Sequence, residues 1–467
     1  MQFHFGLEPY VPYVLYFSAI VAFLASIFYK PIVGLYYLLP MIPLQTMRYR
    51  LADFPLGASV VGVICLGIVL GLLREGKPVL PRTPWTGIII VYAIFTFLSL
   101  CLGSFYIDRP LPLPGDPRFG VWQDYMTMPA LLLIIAAVAP DKRQMQIMLL
   151  VMCLATLGLN KNFWNTVSDR DFSSYSEDLR DEGGMGYAGT NGLAAFEAQS
   201  AALLLALGSF EKKFWIRTGY RALALFSAVC LMYSLSRGGY VAFLAGWSLL
   251  GIVRERKLLV LLVIFLLSWT LFTPRAVQER VLMTYDEQSR SADNSTETRF
   301  SLWENAMQVF HSNVVTGSGF NTYAYMHLNR RTDGASGFYE DTHNFYVKVL
   351  AETGVVGILI FFGLLAKTFL TGFRLFRTAT DPFYASLGLG LVGWLTCSAV
   401  ANFFGDRWTF LQVNGYLWVL GGLVSQALVL EKKQVLDDAV AEQPSQESSE
   451  QEPERQTALK PGLSALY

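Results

Sequence analysis

The chain has 467 residues, of which 53% are hydrophobic and 15% are charged. Charged side chains are too scarce to cover a water-soluble globule of this size, so the composition excludes that class and predicts a membrane protein. The formal net charge is zero, which points to neither nucleic acid nor an acidic partner. The five cysteines lie in apolar runs without metal-ligand spacing, and we interpret them as small hydrophobic residues.

Apolar runs follow one another along most of the chain, and a run of about 20 residues can cross the hydrocarbon core as a helix. A further run at 31–46 contains three prolines, so we expect a bent span or a re-entrant segment there. The prediction is an all-α polytopic protein with twelve or thirteen transmembrane helices. The other runs lie at 11–29, 56–73, 85–103, 121–139, 144–159, 190–209, 219–236, 238–253, 258–273, 344–366, 383–403 and 408–429.

Short basic loops predict the orientation of these spans, because such loops stay in the cytoplasm. If each run crosses the membrane once, all of these basic loops lie on the same side. They are residues 74–77, 141–143, 211–213, 254–257 and 367–377. The opposite side, expected to be the periplasm or cell exterior, carries 104–120, 160–188, the Ser236-Arg237 turn and a long loop at 274–342.

The predicted organisation is a transmembrane bundle over residues 1–430, followed by a tail at 431–467. The tail is acidic and rich in Gln, Ser and Glu, with too few apolar residues to offset the entropy of ordering. We expect it to be disordered, cytoplasmic and without a catalytic role.

The first polar segment on the outer side is the loop 160–188. Arg180 precedes a glycine-rich turn that leads through Asn191 into an apolar run, and Arg170 lies in the same loop. Backbone N–H groups at a helix N-terminus favour phosphate oxygens. Glycines also close ordinary loops, so both interpretations stay open for this turn.

A second polar segment interrupts the apolar stretch from 222 to 252. Arg237 is followed there by Gly238 and Gly239. An arginine near a helix end could simply mark the end of a span, with its charged head in the interface. The two glycines allow a second backbone or a ligand to come close, which favours a binding role.

The third polar segment is the long loop 274–342. Arg299, Trp303, Ala306 and Phe310 recur at i, i+4, i+7 and i+11, with Phe300 beside them. This spacing predicts an amphipathic helix that lies across the outer mouth of the bundle. A packing helix with a surface arginine is the simpler alternative, but Arg299 falls on the apolar face.

His343 opens the next apolar run, directly after Glu340 and Asp341. A histidine at a membrane boundary is often a satisfied interfacial residue, yet imidazole is the side chain best suited to accept a proton near neutral pH. With the two carboxylates it could form a divalent metal site, but adjacent positions rarely all point inward, so we expect no metal. Arginines converging with this histidine would hold a diphosphate and stabilise the charge it gains on leaving. The histidine would deprotonate an attacking hydroxyl.

The order of these motifs resembles the O-antigen ligase and polymerase superfamily, bacterial inner-membrane proteins that move a glycan from an undecaprenyl diphosphate carrier. The similarity covers 180–365 in detail. The residues that carry it are Arg180, Asn191, Ser236-Arg237-Gly238-Gly239, Thr298-Arg299, Trp303, Ala306, Thr342-His343-Asn344-Phe345-Tyr346 and Glu352-Thr353-Gly354-Val355-Val356-Gly357.

The resemblance implies a GT-C-like helical bundle with a periplasmic cavity, and a metal-independent inverting glycosyl transfer without a cofactor. It implies that Arg180 and Arg237 bind the diphosphate and that Arg299 assists there or orients the loop helix. His343 would act as the base or orient the acceptor. The supporting residues would be Trp303, Gly238, Gly239, Asn191 and Asn344.

The leading interpretation is an inner-membrane enzyme, surrounded by membrane lipids, that joins the carrier-linked glycan to lipid A-core or a similar acceptor. Two other branches stay open: a polymerase that joins one carrier-linked repeat to another, and an enzyme that attaches the glycan to protein hydroxyls. A lipid-glycan flippase or exporter would instead place polar residues through both membrane halves. Here the candidates gather on one face, with Glu197 as the exception.

Overall fold

The computed structural model describes residues 8–283, 285–286, 291–292, 294–323, 325 and 342–441. Within this part of the chain the structure is helical, apart from one antiparallel pair of two-residue strands, β1 (Tyr285–Asp286) and β2 (Ser291–Ala292). The predicted all-α membrane architecture is therefore confirmed. Glu340 and Asp341, the carboxylates weighed as metal ligands, lie outside the described residues.

The helices follow the chain in two groups. The first group comprises α1 (Val11–Phe28), α2 (Ile32–Met41), α3 (Gln45–Tyr49), α4 (Val60–Arg74), α5 (Thr86–Tyr106), α6 (Pro117–Val138), α7 (Lys142–Val167) and α8 (Gly189–Phe210). The second comprises α9 (Phe214–Tyr233), α10 (Arg237–Val253), α11 (Arg256–Phe272), α12 (Arg275–Leu282), α13 (Asn294–Ser312), α14 (Phe345–Thr378), α15 (Pro382–Ala401) and α16 (Leu411–Ala441).

Nine described helices are long and apolar enough to cross a membrane, and α11 with α12 makes a tenth candidate that is bent by 114°. The helices α2 and α10 are apolar but shorter. Helix α9 carries Arg217 and Arg221 in its first two turns, which lowers its mean hydropathy. Each apolar run predicted from the sequence, including the proline-containing one, thus contains a helix. The described helices that have the length and hydropathy of a span number nine or ten, fewer than the twelve or thirteen predicted, because α2 and α10 are short and α9 carries charge.

Helix α8 lies at the centre of the bundle, packed against α9, α10 and α15. Most of its residues are buried, including Glu197. With the Asn160 amide oriented to satisfy both of its atoms, its nitrogen donates to Glu197 at 2.7 Å and its oxygen accepts from Ser227. A buried polar group with such partners links helices, so Glu197 has a structural explanation that needs no transport path.

Helix α14 is broken at Gly354, where φ is +63°. The backbone N–H groups of Val355 and Val356 turn outward and donate to Val314 and Val315, at 2.9 and 3.2 Å. A Cβ atom at Gly354 would lie 2.4 Å from the carbonyl oxygen of Val315. Glycine is therefore needed both for the left-handed backbone and for the close approach of the segment after α13.

We expect Gly354→Ala to lower the free energy of unfolding by about 1–3 kcal/mol, because alanine is strained at this φ and meets a backbone oxygen. Gly363→Ala is the matched control on the same helix, since its Cβ would meet only the side chain of Ile88, at 3.5 Å. Thermal unfolding of both variants in detergent checks the prediction. Equal midpoints would show that the break in α14 does not depend on this glycine.

The predicted domain boundary at 430 falls inside α16, which extends to Ala441. Glu431 is 7% exposed and accepts a hydrogen bond from Oγ1 of Thr380 at 2.6 Å. This contact, and the helix-favouring residues Lys432 and Lys433 that follow, carry the helix onward. The rest of the predicted disordered tail, 442–467, lies outside the described residues.

Candidate functional site

An arginine cluster forms at the end of the bundle where α8 begins. Arg180 and Arg280 share the carboxylate of Glu177, with nitrogen–oxygen distances of 3.1 and 3.7 Å. The guanidinium of Arg280 also lies over the ring of Tyr175, 4.9 Å from its centroid, and the hydroxyl of Tyr175 donates to Glu177. These contacts tie the loop between α7 and α8 to α12.

Asn191 connects this cluster to the start of α10. Its Oδ1 accepts from Nη2 of Arg180 at 3.1 Å and from Oγ of Ser236 at 2.7 Å. Ser236 in turn caps α10, accepting from the N–H of Gly239 at 3.4 Å. Arg237 is the first residue of that helix. The structure thus brings Arg180, Asn191 and Arg237 to one place.

The charges of Arg180 and Arg237 act on Arg280. Burial lowers the pKa of its guanidinium from the usual value, and the like charges of Arg237 and Arg180 lower that pKa further, against Tyr175 and Glu177. Burial and the hydrogen bond to Glu177 raise the pKa of Tyr175 to about 12, so its hydroxyl stays a donor.

Two donors in the cluster are unused. The Nε atoms of Arg180 and Arg280 are buried and have no acceptor in the part of the chain that the structure describes. A buried donor without a partner costs about 1–3 kcal/mol. Positively charged groups with unused N–H donors are suited to an anionic ligand with several oxygens.

Arg170, the alternative to Arg180 in the sequence, serves the loop itself. Its guanidinium pairs with Asp181 at 2.6 Å and donates to the backbone oxygens of Asp178 and Leu179 at 3.1 and 3.2 Å. These bonds fix the loop conformation. Of the two arginines, Arg180 is the one bonded to Asn191.

The sequence interpretation missed Arg280, which it assigned to the long outer loop as a whole. An apolar cluster of Leu179, Leu235, Ala276 and Val277 packs α12 between the α7–α8 loop and the turn before α10. Ala276 and Val277 recur as Val281 and Leu282 four to five residues later, and this helical spacing of apolar residues around Arg280 was the available signal. With eight residues, α12 was too short for this periodicity to be recognised in the sequence.

A second wall of the site is formed by α13, the helix predicted in the long loop. Its buried residues are Leu302, Ala306 and Val309, whereas Phe300 is 59% exposed. The buried face is therefore rotated from the predicted one, because the helix packs on α14 and on Tyr323, whose hydroxyl donates to Leu302 O at 3.1 Å. Arg299 and Trp303 are half-buried at the edge of this face.

His343 stands just before α14, exposed and in a left-handed backbone conformation with φ of +50°. The residues on either side hold it there. Nε1 of Trp303 donates to Thr342 O at 2.9 Å, so α13 holds the backbone immediately before the histidine. Oδ1 of Asn344 accepts from the N–H groups of Tyr346 and Val347 at 3.0 and 3.3 Å and caps α14.

The start of α10, which carries Arg237, and the start of α14, which follows His343, both contact residues at the end of α15 and in the segment after it. A Cβ atom at Gly238 would lie 2.7 Å from Cβ of Phe404. The ring of Tyr346 lies 4.5 Å from that of Phe403, and its hydroxyl donates to Ala399 O at 2.7 Å. His343 and the arginine cluster therefore lie at the same end of the bundle.

The glycines after Arg237 have a packing explanation. Gly238 admits Phe404, and a Cβ atom at Gly239 would lie 2.6 Å from Cβ of Ala194 on α8. Both glycines let neighbouring segments of the protein approach closely, and this approach sets the position of Arg237. Direct contact of these glycines with a ligand remains a prediction.

Residues 222–362 match a family model described as O-antigen ligase. Residues 222–362 are therefore similar to an O-antigen ligase domain, and we call them the ligase-like domain. This finding confirms the resemblance predicted from the order of the motifs. Comparison with curated proteins gave no match.

The ligase-like domain contains one arginine of the cluster that was predicted, Arg237, and one that was not, Arg280, together with Arg299 and His343. Arg180 lies before the domain and joins it through its hydrogen bond to Asn191, which is bonded to Ser236. The site is thus built from the domain and from the loop that precedes α8.

Helix α14 also borders a cavity of about 280 Å³ that it shares with α5 and α6. Lys348 pairs there with Asp406 at 2.8 Å. Glu352 accepts the backbone N–H groups of Asn321 and Tyr323 at 3.0 and 3.2 Å. The part of α14 that lines the cavity begins at Phe345, two residues after His343, and the lining contains both polar and apolar side chains.

We expect Asn191→Ala to weaken binding of the anionic substrate by roughly tenfold, because it removes two hydrogen bonds that position Arg180 and the start of α10. Asn162→Ala is the control, since Asn162 donates to Gly183 O, at 3.0 Å, in the same loop. The measurement is the KM for the donor substrate beside kcat. An equal rise of KM in both variants would reduce Asn191 to general support of the loop.

Proposed function

We propose that this protein is a membrane glycosyltransferase that moves a glycan from undecaprenyl diphosphate to an acceptor hydroxyl, as an O-antigen ligase does. The observation that carries the proposal is the arginine cluster, two of whose members lie in the ligase-like domain, with buried Nε–H donors on Arg180 and Arg280 that have no acceptor among the described residues. A diphosphate supplies oxygen acceptors and two or more negative charges. Paired guanidinium donors match that geometry better than ammonium groups do.

In the proposed reaction the acceptor oxygen attacks the anomeric carbon of the glycan, and the bond from that carbon to the phosphate oxygen breaks. The leaving undecaprenyl diphosphate gains negative charge as this bond breaks. Arg180, Arg237 and Arg280 stabilise that charge in the transition state, which accelerates the step. Attack from the side opposite the leaving group inverts the anomeric configuration.

His343 takes the proton of the acceptor hydroxyl in this scheme, or orients that hydroxyl for attack. Its exposure leaves the imidazole accessible to a substrate, and α13 and α14 fix its backbone. The proton passes from the imidazole to water after transfer. Arg299, on the same helix as Trp303, assists at the diphosphate or orients that helix.

The scheme assigns the leaving-group charge to guanidinium groups and the proton to an imidazole. It therefore needs neither a metal ion nor a cofactor. A chelator tests this part of the proposal separately, because it should leave the transfer rate unchanged.

We further propose that the site faces the periplasm from the bacterial inner membrane, within lipopolysaccharide or surface polysaccharide biosynthesis. The basic loops predicted to be cytoplasmic, such as 211–213 and 254–257, adjoin the ends of α8 and α10 that lie away from the cluster. Single cysteines introduced at the exposed positions Ser174 and Thr218 would test this orientation with a labelling reagent added from outside. The first is expected to react and the second is not.

The decisive experiment incubates purified protein with undecaprenyl diphosphate glycan and candidate acceptors, with and without chelator. Formation of glycosylated lipid A-core supports the ligase, and joining of two carrier-linked repeats supports the polymerase alternative. Glycosylated protein would assign the third branch. If no acceptor is modified and the protein instead moves intact carrier lipid between leaflets of a vesicle, the transfer proposal fails in favour of a flippase.

A further inference from the structure

A second cavity, of about 690 Å³, lies at the opposite end of the bundle from the arginine cluster. It is bounded by the ends of α8, α10 and α14 and by the starts of α9 and α15. Helix α8 begins beside the cluster and ends at this cavity, so about 33 Å of helix separates the two sites. No step of the proposed reaction uses this cavity.

Four cationic side chains line the cavity: Lys212, Arg217, Arg254 and Arg377. Within the described ranges, none of the four forms an ion pair with a carboxylate. They come from four different segments of the chain. Positive charge from separate helices is therefore concentrated around one space.

Glu211 lines this cavity, Asp381 and Glu431 lie near it, and each of the three carboxylates accepts a hydrogen bond from another group. Glu211 accepts the backbone N–H of Lys213 at 2.8 Å, and Glu431 accepts from Oγ1 of Thr380 at 2.6 Å. Asp381 is ion-paired with a lysine of α7 and caps α15. The cations are consequently available to a ligand.

The cavity also has an apolar wall. The guanidinium carbon of Arg254 lies 4.1 Å from the ring centroid of Phe210, and Phe376 continues the wall. Phe214 and Trp215, at the start of α9, are 58% and 82% exposed. Exposed aromatic residues at a span end are typical of the membrane interface.

We infer that this cavity binds the phosphate headgroup of an anionic phospholipid from the leaflet opposite the catalytic face. Arg217, Arg254 and Arg377 hold the phosphate, and the aromatic wall accommodates the adjoining glycerol and acyl carbons. Basic pockets between helices at the cytoplasmic surface bind such headgroups. A soluble phosphate would satisfy the same cations but would gain nothing from the apolar wall.

The test uses the full-length protein in detergent and native mass spectrometry with added phosphatidylglycerol or phosphatidylcholine. We expect the wild type to retain phosphatidylglycerol preferentially. The triple variant R217Q/R254Q/R377Q should lower the affinity for phosphatidylglycerol by at least roughly tenfold. Millimolar inorganic phosphate, added as a competitor, should displace little of the bound lipid.

The control is R143Q/R256Q/R374Q, which removes the same charge from exposed arginines at the same end of the bundle but outside the cavity. Equal loss of lipid in both triple variants would reduce the effect to general surface charge and overturn the inference. Phosphate binding without lipid preference would assign the cavity to a soluble anion and also overturn it. If the first triple does not fold, R217Q alone carries the test, since Arg217 is the half-buried member.

Discussion

His343→Ala is expected to lower the rate of glycan transfer by about 10²–10⁴-fold, the range that a general acid–base residue contributes. Binding of the carrier lipid should change little, because the diphosphate contacts are assigned to Arg180, Arg237 and Arg280. The measurement pairs single-turnover transfer with binding of undecaprenyl diphosphate. This combination separates loss of chemistry from loss of the site.

The control for this substitution is His311→Ala. His311 is an exposed histidine in the last turn of α13, away from the contact between Trp303 and Thr342. It should leave both rate and binding unchanged. A folded His343→Ala protein that binds the carrier and transfers at the normal rate would remove the assignment of His343 as base or acceptor-orienting residue.

Arg280→Lys is expected to weaken carrier binding by roughly 10–150-fold, which corresponds to about 1.5–3 kcal/mol for one charge-assisted hydrogen bond. Lysine keeps the charge but cannot reproduce the planar fork of a guanidinium. Arg237→Lys should have a defect of the same kind. Binding of undecaprenyl diphosphate by the purified variants is the measurement.

Arg275→Lys is the matched control on the same helix. Arg275 is 78% exposed at its side chain and pairs with Glu279, at 3.2 Å, so its substitution should be neutral. Normal carrier binding by Arg280→Lys would show that charge alone suffices there and that the forked contact is absent. A loss in both variants would indicate a general effect on α12.

The architecture could be predicted because it depends on a property summed over many residues. A run of about 20 apolar residues has few alternatives to a spanning helix. Helix α13 was predictable for a similar reason, since its apolar residues recur over several turns. Its exact face was not, because the choice between Phe300 and Leu302 depends on the surface of α14 that the helix meets.

The site was harder to predict, since it depends on contacts between residues far apart in the chain. Asn191 and Ser236 are 45 residues apart, and their bond places Arg180 beside Arg237. Arg280 joins the arginine cluster only because α12 turns 114° away from α11 and packs on Leu179 and Leu235. Neither the turn nor its packing partners can be derived from local periodicity.

The role of Gly354 illustrates the same limit. The sequence identifies Glu352-Thr353-Gly354 as part of a motif, but the reason for glycine is the backbone of residues 314–315 pressing against the helix. A requirement of this kind involves two segments at once. It becomes visible only when both are positioned.

The position of the carrier's diphosphate is the most direct test of the account. Cryo-electron microscopy of the protein in lipid nanodiscs with undecaprenyl diphosphate should show density for both phosphates against the guanidinium groups of Arg180, Arg237 and Arg280, at the end of the bundle that carries His343. Density that places the diphosphate at the opposite end of the bundle, or out of contact with all three of these arginines, would contradict the proposed substrate site.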